Sequence, residues 1–292
     1  MHRNAGASRP TPTDRQPSMI PTQAQLDTTA DLLLTVADAE ILPWFRRLGA
    51  GDVRTKTSAI DFVTVADEAA ERVLTAGLLQ MFPGAVVVGE EAVSADPAVL
   101  ETLAGAEFAI TIDPVDGTRN FAAGISVFAV MVAFLVKGQP VASVICDPVV
   151  RDWAIAAKGQ GAWLRHRDGS RQRLQVAPPR PVLEMEGCGL WAHMPKDLRP
   201  EYAQRLTRFA ANAGYRCAGH EARVVASGQY DFAVFHKLTP WDHAPGVILH
   251  REAGGYVAHL DGAAYDPLRM RGGLLYASDK TSWLAIRDVL GL

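Results

Sequence analysis

Apolar residues recur at helical spacing in two stretches of the first third of the chain. In residues 24–48 the apolar positions include Leu33, Ala37 and Ile41, four residues apart. Residues 68–82 also gather their apolar side chains on one face, and Pro83-Gly84 follows directly. A period close to 3.6 with a terminating proline is typical of an amphipathic helix, so the pattern predicts two helices here.

Short apolar runs rich in β-branched residues follow the second predicted helix. They cover residues 85–88, 108–112, 126–136, 141–146, 153–157 and 162–164. Glycine-containing intervals of four residues, 137–140 and 158–161, separate the last four runs into two pairs. Strands joined by tight turns form hairpins, so we expect an antiparallel sheet in this region.

Two aspartates stand where one of these strands ends. Asp113 and Asp116 follow the run 108–112, in a turn that also contains Pro114 and Gly117. Two close carboxylates repel and lose hydration, so such a turn needs a cation, and oxygen ligands favour Mg²⁺. The backbone N–H groups of Gly117 and Thr118 at the next helical turn favour an anion. Metal and phosphate together explain the motif, although an aspartate turn that only caps a helix remains the structural alternative.

Three other segments also place acidic residues at the ends of elements. Glu90 and Glu91 follow an apolar run that ends in glycine, and Asp61 precedes the second predicted helix. Asp242 precedes an apolar stretch at 247–249, where we predict that it is the N-cap of a helix with Pro245 in its first turn. Four separated segments therefore each deliver a carboxylate.

Composition limits the classes of partner. The chain has 292 residues, 48% of them hydrophobic, with 29 basic and 32 acidic residues and a formal net charge of −3. No basic stripe or long apolar stretch is present, so neither nucleic acid nor membrane is expected as a partner. The three cysteines are far apart and odd in number, which favours a reducing cytoplasm over disulfides or zinc.

The set of motifs resembles the inositol monophosphatase family of Mg²⁺-dependent, lithium-sensitive phosphatases. The similarity lies in Gly89-Glu90-Glu91, the run 113–121, Trp241-Asp242, the segment 61–64 and the hairpin 158–163, all in the family's order. Several motifs in one order are more specific than any one alone. The resemblance implies an α/β (α+β) fold of the layered α-β-α-β-α type, and a homodimer.

The resemblance also implies roles for individual residues. Glu90, Asp113 and the Val115 carbonyl would hold one Mg²⁺; Asp113, Asp116 and Asp242 would hold a second; and Glu90 would contribute to a weaker third. Asp61, Thr118 and Glu90 would be catalytic, with Asp61 and Thr118 orienting the attacking water. Phosphate and substrate would contact Asp116, Gly117, Thr118, Arg216, Cys217, Ala218, Phe235 and His236.

Neighbouring polar residues have structural explanations. We expect Glu91 to make a supporting contact, Asp67 to start the second helix, and Arg119 to be solvated or salt-bridged. His243 follows Asp242, but Mg²⁺ disfavours imidazole, so a helix-surface or supporting role is predicted. Cys217 is either a wall of the site or a buried structural cysteine.

The chain departs from the inositol-hydrolysing pattern around the leaving group. Seven positions before Asp242, where such proteins have an acidic residue, this chain has Phe235. Their Gly-Ser/Thr-Ala segment is Arg216-Cys217-Ala218 here, so only the alanine matches. Aromatic and basic side chains at this edge of the site, such as Phe235 and His236, favour a flatter, more anionic or nitrogen-containing substrate over a neutral polyol.

Three functions and a division of the chain follow as expectations. The first function is Mg²⁺-dependent hydrolysis, by metal-activated water and without a phosphoenzyme, of a small phosphate monoester such as an inositol phosphate, a sugar phosphate or histidinol phosphate. The second is a sugar bisphosphatase or nucleotide 3′-phosphatase of the same superfamily, and the third is a non-catalytic regulatory or interaction protein. We expect a disordered leader (1–22), an N-terminal α+β half with the metal-binding turn (23–177) and a C-terminal α/β half (178–292) that closes the site. Helices are predicted at 201–213 and 221–228.

Overall fold

A computed structural model describes residues 19–49, 51–55 and 62–292. Its helices are α1 (Gln23–Val36), α2 (Val65–Met81), α3 (Glu90–Ala95), α4 (Ala98–Glu101), α5 (Thr118–Ala122), α6 (Arg199–Leu206), α7 (Ala218–Ala226), α8 (Pro240–Glu252) and α9 (Lys280–Leu290). Its strands are β1 (Val53–Thr55), β2 (Phe62–Thr64), β3 (Val86–Gly89), β4 (Phe108–Asp116), β5 (Ala129–Val136), β6 (Gln139–Asp147), β7 (Asp152–Ala157), β8 (Gly161–Arg165), β9 (Arg171–Leu174), β10 (Glu186–Gly189), β11 (Ala211–Ala213), β12 (Phe232–Phe235), β13 (Tyr256–His259) and β14 (Leu274–Ala277). Residues 1–18 of the predicted leader and Asp61 lie outside the described residues.

The larger sheet has seven strands in chain order, from β3 to β9. Strands β3 and β4 are parallel, and every later neighbour is antiparallel. The turn between β5 and β6 is only Lys137-Gly138, both at positive φ (48° and 74°), which matches the right-handed twist of a two-residue hairpin. The predicted antiparallel run is confirmed.

The smaller sheet has five strands in the order β11-β10-β12-β14-β13. Strand β10 pairs in parallel with both β11 and β12, whereas β14 is antiparallel to β12 and β13. A further two-stranded antiparallel ribbon joins β1 to β2. The boundary predicted at residue 177 falls between the two larger sheets, and the division of the chain into two halves stays a prediction.

Alternating side chains sort into three apolar layers. One face of the larger sheet, with Ile110 and Val132, packs on α1 and α2. Its other face is rich in small residues such as Ala133 and Ala154, and it packs on α7 and α8. The smaller sheet packs on the opposite side of these two helices. Phe232 and Leu275, on the far face of the smaller sheet, pack under α6 and α9. The predicted α-β-α-β-α sandwich is therefore confirmed.

The first predicted helix is wrong in length. Helix α1 ends at Val36 and continues as a π-helical turn, Ala37–Ile41, in which the Leu42 N–H donates to the Ala37 carbonyl at 2.8 Å. Pro43 has no N–H to continue an α-helix, so the backbone leaves the regular hydrogen-bond pattern just before it.

Two helices of the C-terminal half differ from the prediction. The helix expected at 201–213 is α6, which ends at Leu206, and its last three positions form strand β11 beside β10. Pairing with the sheet overrides the helical pattern there. The helix expected at 221–228 starts earlier, at Ala218. Within the described part of the chain, no helix is both long and apolar enough to cross a membrane.

Candidate active site

A bulge in strand β4 turns two aspartates to the same side. Asp113 pairs with Met131 and Asp116 with Ala129, so three steps along β4 match two along β5. Residues three apart in a regular strand point to opposite faces, but one extra residue restores a common face. Pro114 lies in the bulge, where its missing N–H costs no ladder hydrogen bond.

Glu90 is the first residue of helix α3, directly after strand β3. The N-cap of α3 is Gly89, which has no side chain to cap the helix. The buried Glu71 carboxylate of α2 takes that role, accepting from the N–H groups of Glu91 at 2.7 Å and Ala92 at 2.8 Å. The contact uses the backbone N–H of Glu91, and the supporting role expected for this residue stays a prediction.

Asp242 lies in the first turn of α8, not at its N-cap as predicted. The N-cap is Thr239 and Pro240 is the first helical residue, a favourable place for proline. Pro245 is consequently inside the helix, beyond the first turn, where it leaves the Trp241 carbonyl without its helical donor. Both corrections have one cause, because the Pro-Trp pair before Asp242 is already helical.

Glu90, Asp113 and Asp242 meet in one cluster. Each offers a carboxylate oxygen, and these oxygens all lie within 4.8 Å of one another. Burial, together with the charges of Glu90, Asp116 and Asp242, raises the pKa of Asp113 well above its ordinary value. The Asp113 Oδ1 atom is buried without a hydrogen-bond partner in the described protein. Three carboxylate oxygens this close together, with an unpaired buried oxygen on Asp113, fit a hard divalent cation.

Asp116 connects β4 to the N-terminus of α7. Its Oδ2 accepts from the Gly219 N–H at 2.6 Å and its Oδ1 from the Ala218 N–H at 3.1 Å. The Cys217 Sγ donates to Oδ2 at 3.0 Å, and burial raises the pKa of this thiol so that it stays protonated. Burial also raises the pKa of Asp116, opposed by these three hydrogen bonds. Cys217 is therefore both a wall residue and buried, which combines the two predicted roles.

Gly117 and Thr118 shape the turn after β4. Gly117 has φ +89°, and a Cβ there would lie 2.9 Å from the Val127 carbonyl oxygen, so both conformation and space require glycine. The Thr118 hydroxyl lies 2.9 Å from the Val115 carbonyl and 3.2 Å from the Asp67 carboxylate. Asp67 is fully buried and completes a capping box with Thr64, so the predicted helix-start role is confirmed.

These residues line a cavity of about 560 Å³. Of the predicted site residues in the described ranges, the cavity contains all: Glu90, Asp113, Val115, Asp116, Gly117, Thr118, Arg216, Cys217, Ala218, Phe235, His236 and Asp242. Three further residues line the cavity that no sequence pattern indicated: Arg199, at the start of α6, and Trp191 and His193, in the loop after β10. Their loop has neither a periodic pattern nor a charge cluster.

The histidines and arginines at the cavity have specific packing. His243 is buried and its Nε2 lies 3.0 Å from the Lys237 carbonyl, which excludes the predicted helix-surface position and leaves the supporting role that was the other expectation. The Phe235 ring packs against the His243 ring in a tilted arrangement, with 4.7 Å between the ring centroids. Burial lowers the pKa of His236 to about 4, so this imidazole is neutral. Arg119 lies over the Phe62 ring at 5.5 Å, a cation–π contact, where a solvated or salt-bridged side chain was predicted.

Two sheets alternating with three helical layers, and buried carboxylates beside a bulged strand, define a layered α/β protein with a candidate metal site. The sequence profile of the inositol monophosphatase family matches residues 23–288, and the chain belongs to this family. Members of the family are metal-dependent phosphatases.

Two relatives and one solved structure illustrate the similarity. A Pseudomonas aeruginosa protein described as Nus factor SuhB is 33% identical over 216 residues, covering 70% of this chain and 74% of that protein. An inositol-1-monophosphatase of Mesorhizobium japonicum is 34% identical over 209 residues, covering 69% and 73%. The structure of the extragenic suppressor protein SuhB of Bartonella henselae superposes with a TM-score of 0.77 at 24% identity, covering 92% and 98%.

Proposed function

We propose that this protein hydrolyses a small phosphate monoester in a Mg²⁺-dependent reaction, in which water attacks phosphorus without a phosphoenzyme. The observation that carries the proposal is the unpaired, buried Asp113 Oδ1 in a cluster with Glu90 and Asp242. A buried anionic oxygen among like charges is costly unless it gains a cation. Carboxylates without imidazole or thiolate ligands suit Mg²⁺ better than softer metals.

Two or three ions fit the available oxygens. Glu90, Asp113 and the Val115 carbonyl would hold the first, and Asp113, Asp116 and Asp242 the second, with Glu90 contributing to a third. Asp116 Oδ2 already accepts two hydrogen bonds, from the Gly219 N–H and the Cys217 Sγ, whereas Oδ1 accepts one, from the Ala218 N–H, and keeps a second lone pair for an ion. Bound Mg²⁺ would neutralise phosphate charge and lower the pKa of a coordinated water.

The protein's own groups orient water and phosphate. The single proton of the Thr118 hydroxyl is donated to the Val115 carbonyl or the Asp67 carboxylate, so its lone pairs are left to accept a hydrogen bond from the attacking water. Asp61, which was predicted as the partner of Thr118 in this role, lies outside the described residues, and within them the carboxylate that contacts the Thr118 hydroxyl is that of Asp67. The N–H groups of Gly117 and Thr118 are proposed to bind a phosphate oxygen.

The leaving group contacts a different part of the cavity, formed by Arg216, Cys217, Ala218, Phe235 and His236. Phe235 offers an apolar ring where a polyol would need an acceptor, and His236 is neutral because burial lowers its pKa to about 4. These surroundings support an anionic or flat leaving group over inositol. A sugar bisphosphate or a nucleotide 3′-phosphate therefore belongs in the same substrate panel as the monoesters.

The test is phosphate release from that panel with Mg²⁺ and with a chelator. We expect Mg²⁺-dependent turnover of at least one ester, and its loss in Asp113→Asn. Asp168→Asn, in the exposed turn before β9, is the matched control and should keep the activity. Turnover that persists with the chelator, or in Asp113→Asn, would contradict the proposed metal site.

The Pseudomonas aeruginosa relative described as a Nus factor gives a second candidate, a regulatory protein without catalysis. Buried carboxylates are destabilising without a cation, so a protein under no catalytic demand would gain stability by losing them. The same panel separates the two functions. No turnover of any ester, with Mg²⁺ binding intact by calorimetry, would favour the regulatory candidate.

A further inference from the structure

The cavity lining contains more basic side chains than phosphate binding at a metal cluster requires. Arg119, Arg199, Arg216 and Lys237 all line it. The guanidinium of Arg199 is occupied, because it donates to the carbonyls of Ala192 at 2.7 Å and Met194 at 2.9 Å. It therefore fixes the loop that bears Trp191. Arg119 is occupied by the Phe62 ring.

Arg216 differs from these residues in having no partner. Its side chain is exposed at the cavity, and its guanidinium makes no hydrogen bond or ion pair within residues 19–49, 51–55 and 62–292. A guanidinium carries five donors and a permanent charge, which suits bidentate binding of phosphate or carboxylate.

The backbone at Arg216 is strained. Its φ is +54°, in the left-handed region that glycine occupies without cost and a long side chain does not. Strain of this kind persists only where the surrounding structure enforces it, and it concentrates at ligand sites. The Glu221 carboxylate enforces it here, accepting from the N–H groups of Tyr215 at 2.8 Å and Arg216 at 3.2 Å.

The strained turn is also fixed relative to the carboxylates. The residues directly after Arg216, from Cys217 to Gly219, donate to the Asp116 carboxylate. The carbonyl of Arg216 itself lies 3.4 Å from where a Cβ on Gly117 would be. The backbone of Arg216 therefore packs beside the turn that is proposed to bind phosphate, and its guanidinium extends from a rigid segment of the chain.

We propose that Arg216 binds a second anionic group, a phosphate or a carboxylate, on the leaving alcohol of the substrate. The inference rests on the proposed phosphatase function and narrows its substrate class to esters with two anionic groups. The hydrolysed phosphate binds at the carboxylate cluster, and the second anion pairs with the free guanidinium. A neutral polyol monophosphate cannot make this contact, so its transition state is stabilised less than that of an ester with a second anionic group.

The test compares kcat/KM for three esters: a sugar bisphosphate, a phosphorylated hydroxy acid and a neutral polyol phosphate. In Arg216→Ala, the preference for the better anionic ester over the polyol ester should fall about ten- to hundredfold, the value of one charge-assisted contact. If the sugar bisphosphate shows this fall, the second anion is a phosphate; if the phosphorylated hydroxy acid shows it, the second anion is a carboxylate. Arg216→Lys should restore part of the preference. The exposed arginine Arg208 provides the control Arg208→Ala, with an unaltered preference.

Arg216→Gly provides a readout that a merely structural arginine would not give. The glycine relieves the positive φ, so the melting temperature should rise while the preference for anionic esters falls. An equal loss on all three esters would overturn the inference, because Arg216 would then act on the hydrolysed phosphate or on the fold. Absence of turnover with every ester would overturn both this inference and the phosphatase proposal.

Discussion

The Glu71 carboxylate lies 2.7 Å from the Glu91 backbone nitrogen, across 20 residues of sequence. It caps helix α3 where Gly89 cannot, and a Cβ on Gly89 would lie only 2.2 Å from the Glu71 carboxyl carbon. The side chain of Glu71 and the absence of one at Gly89 are therefore complementary. Glu90 stands between the cap and the carboxylate cluster, so its direction depends on this contact.

Replacing Glu71 should weaken metal binding without removing a ligand. In Glu71→Gln the amide NH₂ faces one of the two N–H groups of α3, so Glu90 shifts. We expect the Mg²⁺ concentration for half-maximal activity to rise about tenfold or more, with most of kcat retained at saturation. Calorimetric Mg²⁺ affinity should fall in parallel.

The control for Glu71→Gln is Glu68→Gln, on an exposed part of the same helix. Its ion pair with Arg54 is solvated and contributes little. An equal loss of Mg²⁺ affinity in both variants would show that Glu71 has no specific effect on Glu90.

Asp113→Asn should separate activity from stability. It removes the carboxylate proposed to bridge two ions, so turnover should become undetectable. It also removes buried like-charge repulsion, so the metal-free melting temperature should rise by a few degrees. Addition of Mg²⁺ should then raise it less than in the unaltered protein. A melting temperature below that of the metal-free parent protein would contradict this account of the cluster.

Lithium should inhibit by competing for the second proposed ion, at Asp113, Asp116 and Asp242. We expect inhibition that deepens as Mg²⁺ is lowered, measured as phosphate release on the best ester. Sodium chloride at equal ionic strength is the control. Full activity at high lithium concentration would mean that the second site is absent or does not exchange.

Stability should fall in acid because of His250. Burial lowers the pKa of this imidazole to about 4, below the value of 6.5 for an unperturbed histidine. The unfolded chain therefore takes up the proton first, so the stability contributed above pH 6.5 is lost as pH falls toward 4, by about 3 kcal/mol in total. Urea unfolding at pH 7 and pH 4 measures this difference in the free energy of unfolding.

The matched variant for the acid effect is His250→Gln, which keeps a donor for the Ala277 carbonyl, 2.8 Å from Nε2. The variant should lose less stability between pH 7 and pH 4 than the parent protein. An identical loss would assign the acid sensitivity to other groups.

Phe235→Glu should narrow the gap between inositol 1-phosphate and the best ester, because it restores an acceptor for sugar hydroxyls. The expected gain is in kcat/KM for inositol 1-phosphate, measured with the panel above. Phe235→Ala removes the same ring contact with His243 without adding an acceptor, and should give no such gain. Inositol 1-phosphate as the best substrate of the parent protein would contradict the assignment of this wall.

The sequence could predict those parts of the site that lie in one contiguous segment. Asp113, Asp116 and Gly117 follow an apolar run, so strand, turn and ligand type could be inferred together. It could not predict the Asp116 cap on α7, because nothing local shows that two segments about 100 residues apart meet. Glu71 has the appearance of an ordinary polar helix residue. Its role is visible only once α2 lies beside α3.

The order of the layers could be predicted for a similar reason, and the strands that the prediction missed have a physical explanation. Tight turns between neighbouring strands define a sheet locally, as at Lys137. Strand β11 has no such local sign, because its pairing with β10 joins residues about 25 apart and interrupts a good helical pattern. The secondary structure that a segment adopts is decided by its neighbours in space, which can override its intrinsic propensity.

Helix α8 lies between the two larger sheets and packs against strands of both. A premature stop codon before residue 240 would thus expose the apolar inner faces of two sheets at once, in addition to deleting Asp242. Such a product would precipitate or be degraded in the cell and would not persist as an inert, folded protein. Genetic tests of this gene should accordingly treat late truncations as losses of the whole polypeptide, and use point substitutions to silence catalysis alone.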